Sequence, residues 1–197
     1  MTSIKTIANR INSITKSVAL HQDYSKKPGL YALMLCENSS LKSFGDGKRI
    51  IYVGKAKGSL KKRDLDTHFK DGKTGSSSLR RSIGAILKKE LGALAFSRNG
   101  SVKFPNIDNY KFDTETEKKL SQWMNKNLLI GFWEYNSALE EKPLRKIEEQ
   151  LTLILKPTLD LSNATKKFNS HAVQLTTLRK ICKDEARQNV LNEIPYY

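Results

Sequence analysis

The sequence predicts an α+β fold: a small three-stranded, mostly antiparallel sheet flanked by helices, with extra helices at both ends. Three observations predict it. Short apolar runs, the last two rich in β-branched or aromatic residues, stand at Leu30–Cys36, Arg49–Val53 and Leu128–Tyr135. Apolar residues at three- and four-residue steps lie before, between and after them. One polar loop joins the first two runs, so an antiparallel hairpin is their most economical pairing.

Taken in order, Ile4, Ile7, Ile11, Ile14 and Val18 outline an amphipathic helix over residues 3–20 that packs on the domain body. Pro28 and Gly29 turn the chain into the first strand, LYALMLC. Residues 37–48, ENSSLKSFGDGK, form the loop at the hairpin tip, and RIIYV returns as the second strand. Ser59 is the expected N-cap of a helix running to about Phe69, and Ser78 that of a helix over Leu79–Leu91. Residues 97–112 read as irregular. Thr114-Glu115-Thr116-Glu117 is a capping-box pattern that opens a helix with Leu120, Trp123 and Met124 on one face. The third strand follows. Pro143 starts the helix 144–155 and Pro157 stops it. The tail from Asn163 is polar and basic, with a short helix expected at about 172–187.

A length of 197 residues, 38% hydrophobic and 28% charged, suits one globular domain with appendages. The formal charge is +15, and it is clustered. Between Lys42 and Lys89, fourteen Lys/Arg face four Asp, which leaves +10 in that stretch. Such clustering points to a polyanionic partner, nucleic acid being the commonest. Cys36 and Cys182 lack metal-ligand or disulfide-framework spacing, which excludes zinc-finger and disulfide-scaffold classes and suits a reducing cytoplasm. No apolar run long enough for a membrane span and no signal-type segment occurs, so a cytoplasmic protein without membrane contact is expected. Gly72-Lys73-Thr74 is not a phosphate-binding loop of the nucleotide-hydrolase type, because Thr67 stands where that pattern requires glycine.

One carboxylate is out of place. Stepping about 100° per residue from Leu144, Leu151 and Leu155 fall within about 20° and Ile147 about 60° to one side. Glu148 lands about 40° to the other side, within the apolar stripe, whereas Glu149 faces outward one turn after Arg145. An inward carboxylate must be paired, hydrogen-bonded or bound to a cation. Periodicity weighs pairing and metal binding equally. Beside a basic surface, metal-assisted phosphodiester chemistry is the sharper hypothesis.

These residues resemble the GIY-YIG nuclease superfamily. Gly29-Leu30-Tyr31 stands for the first motif and Tyr52-Val53-Gly54 for the second, and YVGKAKGSLKKR is similar to the matching segment of repair-type members. An arginine on the next helix matches Arg63, and a histidine or tyrosine beyond it matches His68. Counting back from the turn Pro157-Thr158-Leu159-Asp160 selects Glu148, the residue the stripe had also singled out. The resemblance spans about residues 28–161, between an N-terminal helix and linker (1–27) and a basic C-terminal extension (162–197). There are three departures. The spacer between the tyrosine motifs is long. His68, five residues after Arg63, cannot share its face on a continuous α-helix. Asp160 replaces the usual Asn.

The resemblance implies metal-dependent endonucleolytic cleavage of DNA, RNA being less favoured for want of an RNA-recognition motif. Glu148 would hold Mg²⁺ or Mn²⁺, Arg63 would grip the phosphate, and Tyr31, supported by Tyr52, would take a proton from water. A neighbouring cation such as Lys55 would make a tyrosine basic enough, and His68 would relay the proton, oriented by Asp64. Lys57, Lys61, Lys62, Lys73, Arg80 and Arg81 would hold backbone phosphates. Specificity would come from a homodimer or a protein partner. The alternative is a binding module on the same scaffold that does not cut.

Overall fold

The computed structural model describes residues 3–21, 23–135 and 141–192. In chain order its elements are α1 (Ile4–Ser13), β1 (Lys16–Ser17), β2 (Gly29–Leu35), β3 (Ile50–Ala56), α2 (Leu60–Arg63), α3 (Ser78–Ile86), α4 (Lys88–Leu91), β4 (Ala95–Phe96), β5 (Lys111–Phe112), α5 (Thr114–Asn127), β6 (Leu128–Glu134), α6 (Glu141–Leu155) and α7 (Ala172–Asn192). They divide into two compact units, residues 1–66 with 125–172, and 67–124 with 173–197.

The first unit is built on an antiparallel sheet of order β1-β6-β2-β3. It has four strands where three were expected, because β1 is two residues long and carries no periodicity to read. β2 and β3 form the expected hairpin, with Tyr31 opposite Gly54 and Leu30 opposite Lys55. Strand alternation then separates two faces. Leu30, Ala32 and Val53 lie on one face, where they form a core with Ile7, Ala8 and Ile11 of α1 and Leu144 and Leu151 of α6. Tyr31, Tyr52 and Gly54 lie on the other. α1 sits close on β6 because Gly131 has no side chain: a Cβ there would stand 2.2 Å from the Ile11 carbonyl oxygen. The stripe on α6 is as the spacing requires, with Leu144 and Leu151 buried and Ile147 and Leu155 packed against the same core.

Helix ends show where local chemistry prevails. Ser59 caps α2 by accepting from the Lys62 N–H, as expected. α2 ends at Arg63 and passes directly into a π-turn, Asp64–His68. The α-helix is therefore not continuous between Arg63 and His68. The cap of α3 is Ser77 instead of Ser78. At α5, Asp113 caps by accepting from Thr116 N–H and Oγ1–H. The capping-box reading placed the start one residue late, because Asp113 competes with Thr114 for the same amides.

The second unit holds the two-stranded β4-β5 sheet and is tied by Arg80, which has no exposed surface. All five of its N–H groups are satisfied. Nε donates to Thr74 Oγ1, Nη1 to the His68 carbonyl and Ser121 Oγ, and Nη2 to the Glu117 carbonyl and to Glu117 Oε2 at 2.6 Å. Replacing Glu117 by Leu strands this cation and is expected to destabilise the chain by about 3–5 kcal/mol, whereas the double change Arg80→Met/Glu117→Leu recovers most of the loss. Urea denaturation of the three variants checks it.

Candidate active site

Gly54 is the centre of the site by virtue of what it lacks. A Cβ on it would stand 2.4 Å from Tyr31 Oη and 2.9 Å from a ring carbon of Tyr52. Tyr31 therefore lies flat against the β3 backbone, fully buried. Tyr52, diagonal to it across the hairpin, stacks with a ring-centroid separation of 6.2 Å and an interplanar angle of 27°. Gly29 acts in the same way one turn of pleat earlier, since a Cβ there would meet the Trp133 carbonyl oxygen at 2.2 Å and the Leu60 side chain at 2.9 Å. It brings α2, and with it Arg63, down onto this face.

Arg63 is half-buried, donates to the Tyr31 oxygen and faces the Tyr52 phenol. Burial, then the neighbouring Tyr52 and Asp64, hold the Tyr31 phenol well above its ordinary range, with Arg63 opposing them. Asp64 follows on the π-turn with no exposed surface. Its Oδ2 accepts from Tyr24 Oη–H at 2.6 Å, and its Oδ1 has no partner among the described residues. Burial pushes this carboxyl up to about 8, against the Tyr24 hydrogen bond and the Arg63 charge. Burial thus favours the protonated form of Asp64 over what an exposed aspartate would show. Tyr24 itself packs on Phe132 at 4.7 Å.

Lys55 and Glu148 lie on the other face. Glu148 Oε2 accepts from Lys55 Nζ at 2.5 Å, both side chains being about one-fifth exposed. Glu149 takes the outward pairing expected for it, with Arg145 at 3.0 Å. The inward carboxylate is thus paired, with a lysine. Because Lys55 points away from the tyrosine face, Arg63 is the cation beside the phenols, and Lys55 does not have the role expected of it there.

Several expected residues stand elsewhere. Arg80 is locked in the buried network described above and cannot reach a phosphate. Arg81 is buried too, its Nη1 donating to the carbonyls of Thr74 and Gly75. His68 belongs to the second unit, has no exposed surface, and lies 2.6 Å from Ser77 Oγ through Nδ1. A ring closed to water is not placed to relay a proton, and Asp64 is bonded to Tyr24 and not to it. Lys57, Lys61 and Lys62 are exposed beside α2, and Lys73 is partly exposed in the second unit. Tyr24 gave no signal in the sequence, because it sits in an irregular segment whose only distinction is a contact 40 residues away.

Among the described residues no group of three or more His, Cys, Asp or Glu converges as a metal cage. The donor set suits a different kind of ion. Glu148 already holds an ammonium, and a single partly exposed carboxylate fits a hard cation that keeps most of its water.

A family model described as the GIY-YIG catalytic domain matches residues 23–181. No curated protein and no solved structure gives a match.

Two outcomes follow from this packing. Gly54→Ala is expected to displace the Tyr31 ring and to destabilise the fold by about 1–3 kcal/mol, read as a lowered thermal midpoint. For Asp64, the folded state keeps a proton that the unfolded state releases near 3.8, the ordinary value of an aspartate. Stability therefore falls as pH rises from about 4 and levels off above about 8. Asp64→Asn keeps the Tyr24 hydrogen bond and removes that slope, which denaturation midpoints at pH 5 and pH 9 compare directly.

Proposed function

The chain belongs to the GIY-YIG catalytic domain family, and we propose that it is an endonuclease that hydrolyses phosphodiester bonds in DNA with the aid of Mg²⁺ or Mn²⁺. The observation that carries this reading is Arg63: a half-buried guanidinium that donates to the Tyr31 oxygen and faces Tyr52, on the same face as both tyrosine motifs. Such a cation favours an anionic partner, and its planar fork suits two phosphate oxygens.

Tyr52, Gly54 and Lys55 follow one another on β3, an edge strand of the sheet. A phosphate laid over that edge would meet Arg63 from one face and the Lys55–Glu148 pair from the other. Lys57, Lys61 and Lys62 would hold the flanking backbone without reading bases. Glu148 would hold the divalent ion in place of Lys55. A bound ion there would neutralise phosphate charge and make a neighbouring water easier to deprotonate.

The sequence favoured Tyr31 as base with Tyr52 in support. The fold supports the reverse. Tyr31 is closed to water and bonded to Arg63, while Tyr52 is only partly buried. Arg63 faces both phenols and so stands beside whichever of them handles the proton.

A second reading has one observation in its favour. Lys55 already satisfies Glu148, as a binding module that never cuts would require. Plasmid cleavage separates the two. Wild type is expected to nick or linearise supercoiled DNA with either metal. Glu148→Ala should lose at least about a hundredfold in rate, the scale of removing one electrostatic element of a site. Glu149→Ala should stay within about twofold, since its exposed pair with Arg145 is worth only a few tenths of a kcal/mol. Retarded migration of plasmid that neither metal causes to be cut would favour the binding module.

A further inference from the structure

We propose that the cavity beyond the C-terminal end of α6 is a pocket for one unpaired nucleobase of the bound strand. The inference rests on the nucleic-acid reading above, and it concerns a place that reading does not use. The cavity lies wholly within the first unit and has a volume of about 210 Å³. That is smaller than the roughly 300–1,000 Å³ of ordinary small-molecule sites and is of a size for a single heterocycle. Thr152, in its wall, is one helical turn beyond Glu148.

Hydrogen bonds hold the walls in place. Leu159 N–H donates to the Ile51 carbonyl, tying the turn after α6 to β3. Asn169 Nδ2 donates to the carbonyls of Thr158 and Asp160, and its Oδ1 accepts from the His171 N–H. Arg49 Nη2 donates to the Lys156 carbonyl at 3.1 Å, which fixes the guanidinium at the cavity wall. A wall tied at so many points is preorganised, which lowers the entropy lost when a ligand enters.

Three features of the lining match a nucleotide. Phe168 is 63% exposed, with Lys167 Nζ 5.0 Å from its ring centroid, so an aromatic face stands open among cations. That combination is how strands with unpaired bases are bound. Thr165 lines the cavity and is buried, and its Oγ1 has no partner among the described residues, which leaves a wall hydroxyl with hydrogen-bonding capacity to spare. Arg49 and Lys156 outnumber Asp160 in the wall, so the attached phosphate is favoured there. Asp160 Oδ1 accepts from the Ser162 N–H, and a carboxylate can only accept. It therefore favours a base with an exocyclic amino group over thymine.

The test is an NMR titration of the full chain with dCMP and dTMP, which needs no cleavage. Resonances of Thr165, Phe168 and His171 are expected to shift with dCMP at millimolar concentration, and several-fold more weakly with dTMP. Phe168→Ala should weaken dCMP binding about tenfold, and Phe168→Trp, which keeps a stacking face, should restore it. Absence of those shifts in wild type, or an unchanged titration for Phe168→Ala, overturns the proposal. Shifts at the pocket in a chain that cuts no plasmid would leave the pocket standing and remove the nuclease. Cut plasmid without shifts would do the reverse.

Discussion

The close approach of the Tyr31 ring to the backbone of Gly54 is the contact on which the site depends. It requires glycine on β3, because any side chain there would occupy the space of the phenol. With the ring flat on the strand, Tyr52 has a surface to stack on and Arg63 has an oxygen to bond. Gly29 makes the matching allowance for Leu60, and so sets the depth at which α2 delivers Arg63. The two motif glycines are therefore steric requirements of one packed face. The dryness of that face has an electrostatic consequence. It raises the pKa values of Tyr31 and Asp64 and so favours their neutral forms.

The basic segment shows that net charge and a binding footprint are different things. Lys57, Lys61 and Lys62 are exposed. Arg80 and Arg81, which count equally as cations in the formal charge, are structural: one carries five hydrogen bonds inside the second unit and the other closes the turn at Thr74–Ser76. A guanidinium has enough donors to satisfy several carbonyls at once, so buried arginine can organise a core where lysine could not. The charge a phosphate would meet is smaller than the sequence suggests.

α6 connects two places that differ in kind. Its buried stripe anchors it on the sheet, Glu148 stands at the edge of that stripe, and its last turn opens on the cavity walled by Arg49, Thr165 and Phe168. The turn Pro157–Asp160 that marked Glu148 in the sequence has its own structural work. Its Leu159 amide pairs with β3 and its Asp160 closes a local turn on Ser162, a bond that a carboxylate makes as well as the amide of Asn.

Much of this was legible in the chain because it is local. Short apolar runs marked β2, β3 and β6, Ser59 marked the start of α2, and a 100° step put Glu148 in the stripe and Glu149 outside it. What could not be read has in common that it depends on residues distant in sequence. Tyr24 meets Asp64 across 40 positions, Lys55 meets Glu148 across 93, and Arg80 meets Glu117 across 37. Sequence determined which residues could carry charge or proton chemistry and which faces of helix and strand they occupy, since these follow from side-chain type and backbone period. Tertiary structure alone decided which were buried and with what partner, because desolvation and pairing depend on what the folded chain places within a few ångströms.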